Sequence, residues 1–132
     1  MANRIIDVAT IAAPLGAYSQ AIASGGAGTW LHIAGQVGVD ANGRLAEGFE
    51  AQAHQAWSNL VAVLSSAGMQ VGHLVKVSTF LARPSDLPLL GPVRAGFMGD
   101  ARPASTVLIV QALARPEWLV EVEGTAFLPD SA

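Results

Sequence analysis

The last apolar segment of the chain carries two carboxylates with a spacing suited to acid–base chemistry. If residues 118–127 form a strand, side chains alternate between its faces, so Glu121 and Glu123 share one face about 7 Å apart. When partly buried, such a pair raises the pKa of one carboxyl, which can then position or protonate a water molecule. The alternative is an ordinary solvated strand face, which composition alone favours.

The three histidines offer weaker candidates. His54 and His73 are predicted to lie on the surface, near a helical stripe and in a turn. His32 stands between Leu31 and Ile33 and is predicted to be a buried core residue with a partner rather than a catalyst. None of the three has a partner at metal-ligand spacing, and the sequence contains no cysteine. The sequence therefore predicts no metal site, no disulfide and no thiolate chemistry.

Two glycine-containing segments are predicted to be turns. The cluster at residues 25–28 precedes an extended segment, whereas a phosphate-binding loop opens onto a helix N-terminus, and no Gly-Lys-Ser/Thr follows. We therefore expect a hairpin turn there. A second hairpin turn is predicted at Asn42-Gly43. The sequence also contains no Gly-x-Ser-x-Gly elbow, so serine hydrolase chemistry is unsupported.

Composition limits the possible protein classes. The 132 residues fit a single domain over residues 1–132, and 52% hydrophobic residues exclude wholesale disorder. A net charge of -3, with 7 Lys and Arg, lacks the basic footprint of a nucleic-acid binder. No apolar stretch approaches the ~20 residues of a membrane span, and no secretory signal is recognisable. We therefore expect a cytoplasmic protein without a membrane or nucleic-acid partner.

The elements that must position these residues follow from periodicity and breaks. Strands are predicted at residues 3–8, 17–24, 29–39, 71–81, 104–111 and 118–127. Apolar residues at helical spacing predict a helix from Phe49 to Gly68, and Ser85 and Asp86 are predicted to cap a second helix that runs to Gly99. This order indicates an α+β domain with one sheet and two helices. The other sheet face stays uncovered, and only 13% of residues are charged, so we expect oligomerisation to bury it.

Several segments, in order, resemble the motifs of the Rid family, the YjgF-like reactive intermediate deaminases. Residues 13–20 resemble APxGPYSQ, residues 33–36 resemble (V/I)SGQ, residues 52–68 resemble QxxQAxxNLxxVLxxAG, residues 75–81 resemble VKxTxFL, and residues 102–105 with 119–123 resemble RPAR and (V/I)EIE. No single motif is decisive, but the ordered set over residues 13–126 is specific. The chain is identified as a member of this family.

The resemblance implies a fold and an activity. Family members have a chorismate-mutase-like α+β fold, with one mixed sheet and two helices on one face, and they assemble as homotrimers with pockets in the clefts between subunits. Active members are hydrolases that convert small imines and enamines to 2-keto acids and ammonia, without a metal or cofactor. The implied ligand is therefore a small molecule, and no cofactor is expected.

The family's functional positions are only partly matched. Tyr18 matches a pocket tyrosine, and Glu121 matches the glutamate that handles the attacking water. Ala34 replaces the serine of SGQ, Gly91 replaces a frequent asparagine, and Ser105 replaces the arginine that binds the substrate carboxylate. The resemblance implies a catalytic role for Glu121 and substrate-binding positions at the other four residues. Loss of the arginine should weaken carboxylate binding by ~1.5–3 kcal/mol, or ~10–150-fold.

Two functional hypotheses remain. The first is a deaminase-like hydrolase that acts on an imine, enamine or related compound lacking the 2-carboxylate. The second is a non-catalytic trimer that binds a metabolite or a partner protein in the same clefts. A ribonuclease is disfavoured by the acidic charge balance. Arg102 is not expected to replace the missing guanidinium, because strand alternation directs it to the face opposite Ser105.

Overall fold

The computed structural model describes residues 3–130 and confirms the predicted order of elements. The strands are β1 (Arg4–Ile6), β2 (Ala21–Ala23), β3 (Gly28–Val37), β4 (Leu74–Leu81), β5 (Ala104–Ile109) and β6 (Val120–Pro129), and the helices are α1 (Phe49–Ser66) and α2 (Leu87–Met98). Short 3₁₀ turns at Val71–His73 and Pro84–Asp86 precede β4 and α2. The predicted strand at residues 71–81 therefore begins three residues later, after such a turn.

Helix α1 forms the centre of the core. Its apolar stripe includes Ala53, Trp57 and Leu60, all fully buried against the sheet. The helix ends two residues before Gly68, whose φ of 72° favours glycine and breaks the helical path. The predicted helical stripe is thus confirmed.

The main sheet is mixed, with strand order β3-β6-β4-β5. Strand β6 is antiparallel to both β3 and β4, and β4 is parallel to the edge strand β5. Val77 and Val122 point toward the helices and are fully buried. Both helices pack on this face, which confirms the predicted α+β arrangement with two helices on one face of a mixed sheet.

Strands β1 and β2 form a separate two-stranded sheet, which the sequence did not predict. They pair antiparallel, with Ile5 opposite Ile22. The turn at residues 25–28 therefore joins β2 to β3 without pairing them, and the expected hairpin there is wrong. The hairpin turn at Asn42-Gly43 is confirmed: Gly43 has a φ of 78°, and Val39 and Leu45 form an antiparallel bridge around it.

Helix α2 starts where it was predicted, but not by the predicted capping. Asp86 makes no capping hydrogen bond. Its carboxylate instead accepts two hydrogen bonds from Arg83, from Nε at 2.8 Å and from Nη2 at 3.0 Å. The helix tolerates Pro88 because that residue lies in the first turn, where the backbone N–H has no helical partner.

The sheet face opposite the helices is uncovered in the single chain, and we call it the open face. By strand register its residues include Trp30, His32, Lys76, Ser78, Phe80, Thr106, Leu108, Glu121, Glu123, Thr125 and the buried Phe127, which lies opposite Trp30. Trp30 and Leu108 are about half exposed, at 50% and 49%. An uncovered sheet face with exposed large apolar side chains is a candidate interface.

His32 is not the buried core residue that its neighbours indicated. It is exposed on the open face, and its ring stacks 6.5 Å from that of Trp30. The strand alternates, so Ile33 turns to the core while His32 turns away from it. His54 is exposed, as expected, and packs on Phe97.

Candidate functional site

Glu121 lies directly over a glycine of the neighbouring strand. The pairing of β3 with β6 is irregular between Ile33 and Gln36, where the chain bulges. The bulge places the Gly35 backbone under the Glu121 carboxylate, and a Cβ at position 35 would overlap the carboxylate oxygen Oε2. Only glycine leaves room for this carboxylate position. The resemblance gave Gly35 no role, although it lies within the IAGQ segment.

The Glu121 carboxylate has no hydrogen-bond or ion-pair partner within residues 3–130. In the register of β6 it lies between Val37 of β3 and Phe80 of β4, and it is half-buried. Glu123 lies two residues along the same face, opposite Ser78, and is exposed. A carboxylate that lies against a glycine and is free of protein partners can accept hydrogen bonds from a water molecule or a substrate.

A pocket of about 600 Å³ lies on the other side of the sheet, between α2, β5 and the segment of residues 15–18. Tyr18, Gly91 and Ser105 all line it. The backbone N–H of Ser19 donates a 3.0 Å hydrogen bond to the carbonyl of Pro103, which ties the tyrosine-bearing segment to the start of β5. Tyr18 Oη also accepts a hydrogen bond from the Leu15 N–H at 3.3 Å.

Ser105 and Gly91 give this pocket room and an unused hydroxyl. Ser105 pairs in register with the fully buried Val77, so its side chain points to the helix side. Its Oγ is buried and makes no hydrogen bond within the described chain. At Gly91 an added Cβ would meet nothing within 4 Å. A short side chain on the strand and none on the helix therefore leave this part of the pocket open.

Arg102 lines the same pocket as Ser105, contrary to the alternation argument. Strand alternation does not extend to Arg102, because β5 begins only at Ala104, after Pro103. The guanidinium is committed elsewhere: Nη1 donates to the carbonyl oxygens of Gly99 and Ala101, both at 2.8 Å.

Arg94 also lines the pocket, although no sequence motif predicted it there. It is the only charged residue in the helix Leu87–Met98, and a single charge in an apolar helix is the sequence feature that could have indicated it. Its guanidinium carbon lies 5.9 Å from the centre of the Trp57 ring. Burial lowers the pKa of Arg94 below the usual value for arginine.

The predicted site residues therefore form two groups on opposite faces of the sheet. Tyr18, Gly91 and Ser105 share the pocket, whereas Glu121 lies on the open face beside the β3 bulge, which contains the exposed Ala34. Within residues 3–130, one chain does not bring the groups together. Over the same residues, no three His, Asp or Glu side chains cluster as a metal site would require, and no helix is long and apolar enough to cross a membrane.

Comparison with known proteins agrees with the motifs. A family model described as endoribonuclease L-PSP matches residues 9–128. A RutC family protein of Pyrococcus horikoshii is 34% identical over 116 residues, covering 86% of this chain and 89% of the relative. A 2-iminobutanoate/2-iminopropanoate deaminase of Capra hircus is 32% identical over 128 residues, covering 96% of this chain and 90% of the relative.

Solved structures show the same fold. The crystal structure of YyfB from Yersinia pestis, a protein of the conserved Rid family, has a TM-score of 0.86 and 35% identity, covering 97% of this chain and all of its own. RidA from an Antarctic Psychrobacter has a TM-score of 0.72 and 32% identity, covering 95% of this chain and 99% of its own. The chain belongs to the endoribonuclease L-PSP family, the Rid or YjgF-like family that its motifs resemble.

Proposed function

We propose that this protein hydrolyses a small imine or enamine, with Glu121 activating the water. The observation that carries the proposal is the Glu121 carboxylate, which lies against the Gly35 backbone at the bulge and has no partner from residues 3–130. Water adds to the imine carbon and passes one proton to the nitrogen, which gives a carbinolamine. The hydroxyl proton of the carbinolamine then passes to the nitrogen as the C–N bond breaks, so that ammonia leaves and the carbonyl forms. Relatives named as 2-iminobutanoate/2-iminopropanoate deaminases support this reaction class.

The proposed site needs two copies of the chain. Glu121 lies on the open face beside the bulge that contains Ala34, while Tyr18, Gly91 and Ser105 line the pocket beyond the sheet. A cleft in which the open face of one copy meets the pocket region of the next joins the two groups. The homotrimer implied by the family resemblance supplies such clefts and buries the exposed Trp30 and Leu108.

We expect light scattering at micromolar protein to give three times the 13.6 kDa chain mass. The physical reason is the apolar part of the open face, which a free monomer leaves in water. A monomer mass would contradict the trimer and leave the proposed cleft without a second wall.

Ser105 makes this protein a poor deaminase for 2-iminopropanoate and 2-iminobutanoate. It stands at the position of the RPAR arginine, and one neutral hydroxyl cannot supply the paired, charged donors that a guanidinium offers to a carboxylate. We therefore propose a substrate without a carboxylate on the imine carbon. A ribonuclease is not proposed, because the net charge of -3 provides little phosphate neutralisation.

The test couples the protein to a threonine dehydratase and traps the free imine. We expect an acceleration of imine decay about 10–150-fold weaker than that of an arginine-bearing relative assayed in parallel. Imines generated in situ from simple amines by an amine oxidase, with dioxygen as the oxidant, carry no carboxylate and form the second arm, with the carbonyl product measured. An acceleration on the threonine-derived imine equal to that of the relative would refute our interpretation of Ser105.

A further inference from the structure

Arg94 places an uncompensated positive charge in the wall of the pocket. Its Nε and Nη2 atoms are buried and have no hydrogen-bond partner within residues 3–130. The guanidinium stacks near the indole of Trp57, a contact that accounts for part of the cost of burying it. No carboxylate within the described residues lies within ion-pair distance of it; the ion pair that those residues form joins Arg83 to Asp86. A buried unpaired cation destabilises the folded protein unless an anion or hydrogen-bond acceptors compensate its charge.

The surroundings of Arg94 suit an anion. The described residues that line the pocket include two arginines and a tyrosine but no Asp or Glu. The Ser105 hydroxyl, which also lines the pocket, has no partner either. Gly91 precedes Arg94 by three positions, so it lies on the same side of α2 and leaves open space there. The pocket thus combines unpaired donors, positive charge and room.

We propose that Arg94 is the anion-binding residue of this pocket and that the ligand is a small carboxylate held from helix α2 rather than from β5. This rests on the proposed function, since it identifies the charged group of that same substrate. Arginine suits the task because its fork can bind both oxygens of a carboxylate. Arg102 is a weaker candidate, because its Nη1 already donates to two backbone carbonyls.

The position of the charge restricts the substrate class. In a 2-imino acid the carboxylate is bonded directly to the reacting carbon. An arginine that binds the carboxylate therefore also fixes the position of the reacting carbon. Moving the guanidinium from position 105 on β5 to position 94 on α2 moves the bound carboxylate with it. We therefore expect a substrate whose carboxylate is separated from the imine carbon by a short chain. Its carboxylate can bind Arg94 while its imine carbon meets the water that Glu121 is proposed to activate.

Isothermal titration calorimetry with a stable ketone tests this proposal without requiring turnover. The probe is 4-oxopentanoate, which carries a carboxylate two methylenes from its carbonyl, and its neutral counterpart is 2-pentanone. We expect Arg94→Met to bind 4-oxopentanoate about 10–150-fold more weakly than the unsubstituted protein, with 2-pentanone binding unchanged. The matched variant Arg102→Met, which removes the other pocket guanidinium, should change affinity by less than about fivefold.

Thermal unfolding provides a second readout. Arg94→Met should unfold at the same or a higher temperature than the unsubstituted protein, because an apolar side chain replaces an unpaired buried charge. If that variant does not fold, Arg94→Lys serves instead: it keeps the charge, loses the fork, and should still bind 4-oxopentanoate more weakly.

The outcomes separate this inference from the proposed function. Equal affinity of Arg94→Met and the unsubstituted protein, no binding of 4-oxopentanoate, or a larger loss in Arg102→Met each overturns the role of Arg94. Binding that depends on Arg94 in a protein that hydrolyses no imine supports the anion site and refutes the enzyme. If Arg94→Met leaves hydrolysis of the imine of 4-oxopentanoate unchanged, that result supports the enzyme and refutes the anion site.

Discussion

Replacing Glu121 with glutamine is expected to lower imine turnover by ~10²–10⁴-fold, the usual scale for a positioned acid or base. Glutamine keeps the length and the hydrogen-bonding reach of the side chain but cannot accept a proton from water. Affinity for a ketone analogue should change far less, because the substitution acts mainly on the transition state. Carbonyl release from in-situ imines and calorimetry with the analogue provide the two measurements.

Glu123→Gln is the matched control for this prediction. Glu123 carries the same group on the same face two residues later, but it is exposed and lies opposite Ser78. Imine turnover by the Glu123→Gln variant should stay close to that of the unsubstituted protein. A non-catalytic binding trimer would behave differently: no imine would be turned over, and Glu121→Gln would change only ligand affinity. That pattern would favour the second hypothesis over the first.

Gly35→Ala should lower turnover by ~10²-fold while leaving the fold intact, because misplacement of a catalytic group by about 1 Å costs that much. The added Cβ would overlap the Glu121 carboxylate, the far end of a flexible side chain, which can move aside cheaply. The loss should therefore appear in kcat, with the midpoint of thermal unfolding nearly unchanged.

Two other glycines calibrate this result. At Gly25 an added Cβ meets nothing within 4 Å, so Gly25→Ala should change neither turnover nor stability. At Gly38 it would come within 2.6 Å of the Gln52 backbone, so Gly38→Ala should lower stability by about 1–3 kcal/mol. If Gly35→Ala retains full turnover, the exact position of the Glu121 carboxylate does not matter and the water-activating role loses its support.

Local patterns predicted most of the fold, and non-local pairing accounts for the errors. The stripe from Phe49 to Leu64 predicts α1 well, because a helix satisfies its backbone within its own segment. The separation of β1 and β2 from the main sheet depends on contacts between distant residues, which no local pattern records. The same limit hid the β3 bulge, because alternation alone carries no signal for one extra residue.

Part of the candidate pocket was also predictable. The family resemblance pointed to Tyr18 and Ser105 through motifs and to Gly91 through a helix position, and all three line one pocket. Arg94 was not predicted because no motif contains it. Only its burial in the folded chain distinguishes a pocket guanidinium from a surface one. His32 was predicted to be buried but is exposed, because apolar neighbours in a strand do not show which face each residue occupies.

The placement of Glu121 and Ser105 on opposite faces of one sheet has a genetic consequence. With the cleft formed between copies as proposed, each chain donates its carboxylate to one site and its pocket to another. An allele defective in the carboxylate and an allele defective in the pocket then complement each other when co-expressed, because mixed assemblies contain some sites built from two intact halves. Two alleles defective in the same half cannot do so. Complementation between two alleles therefore depends on whether their lesions lie on different faces of the sheet.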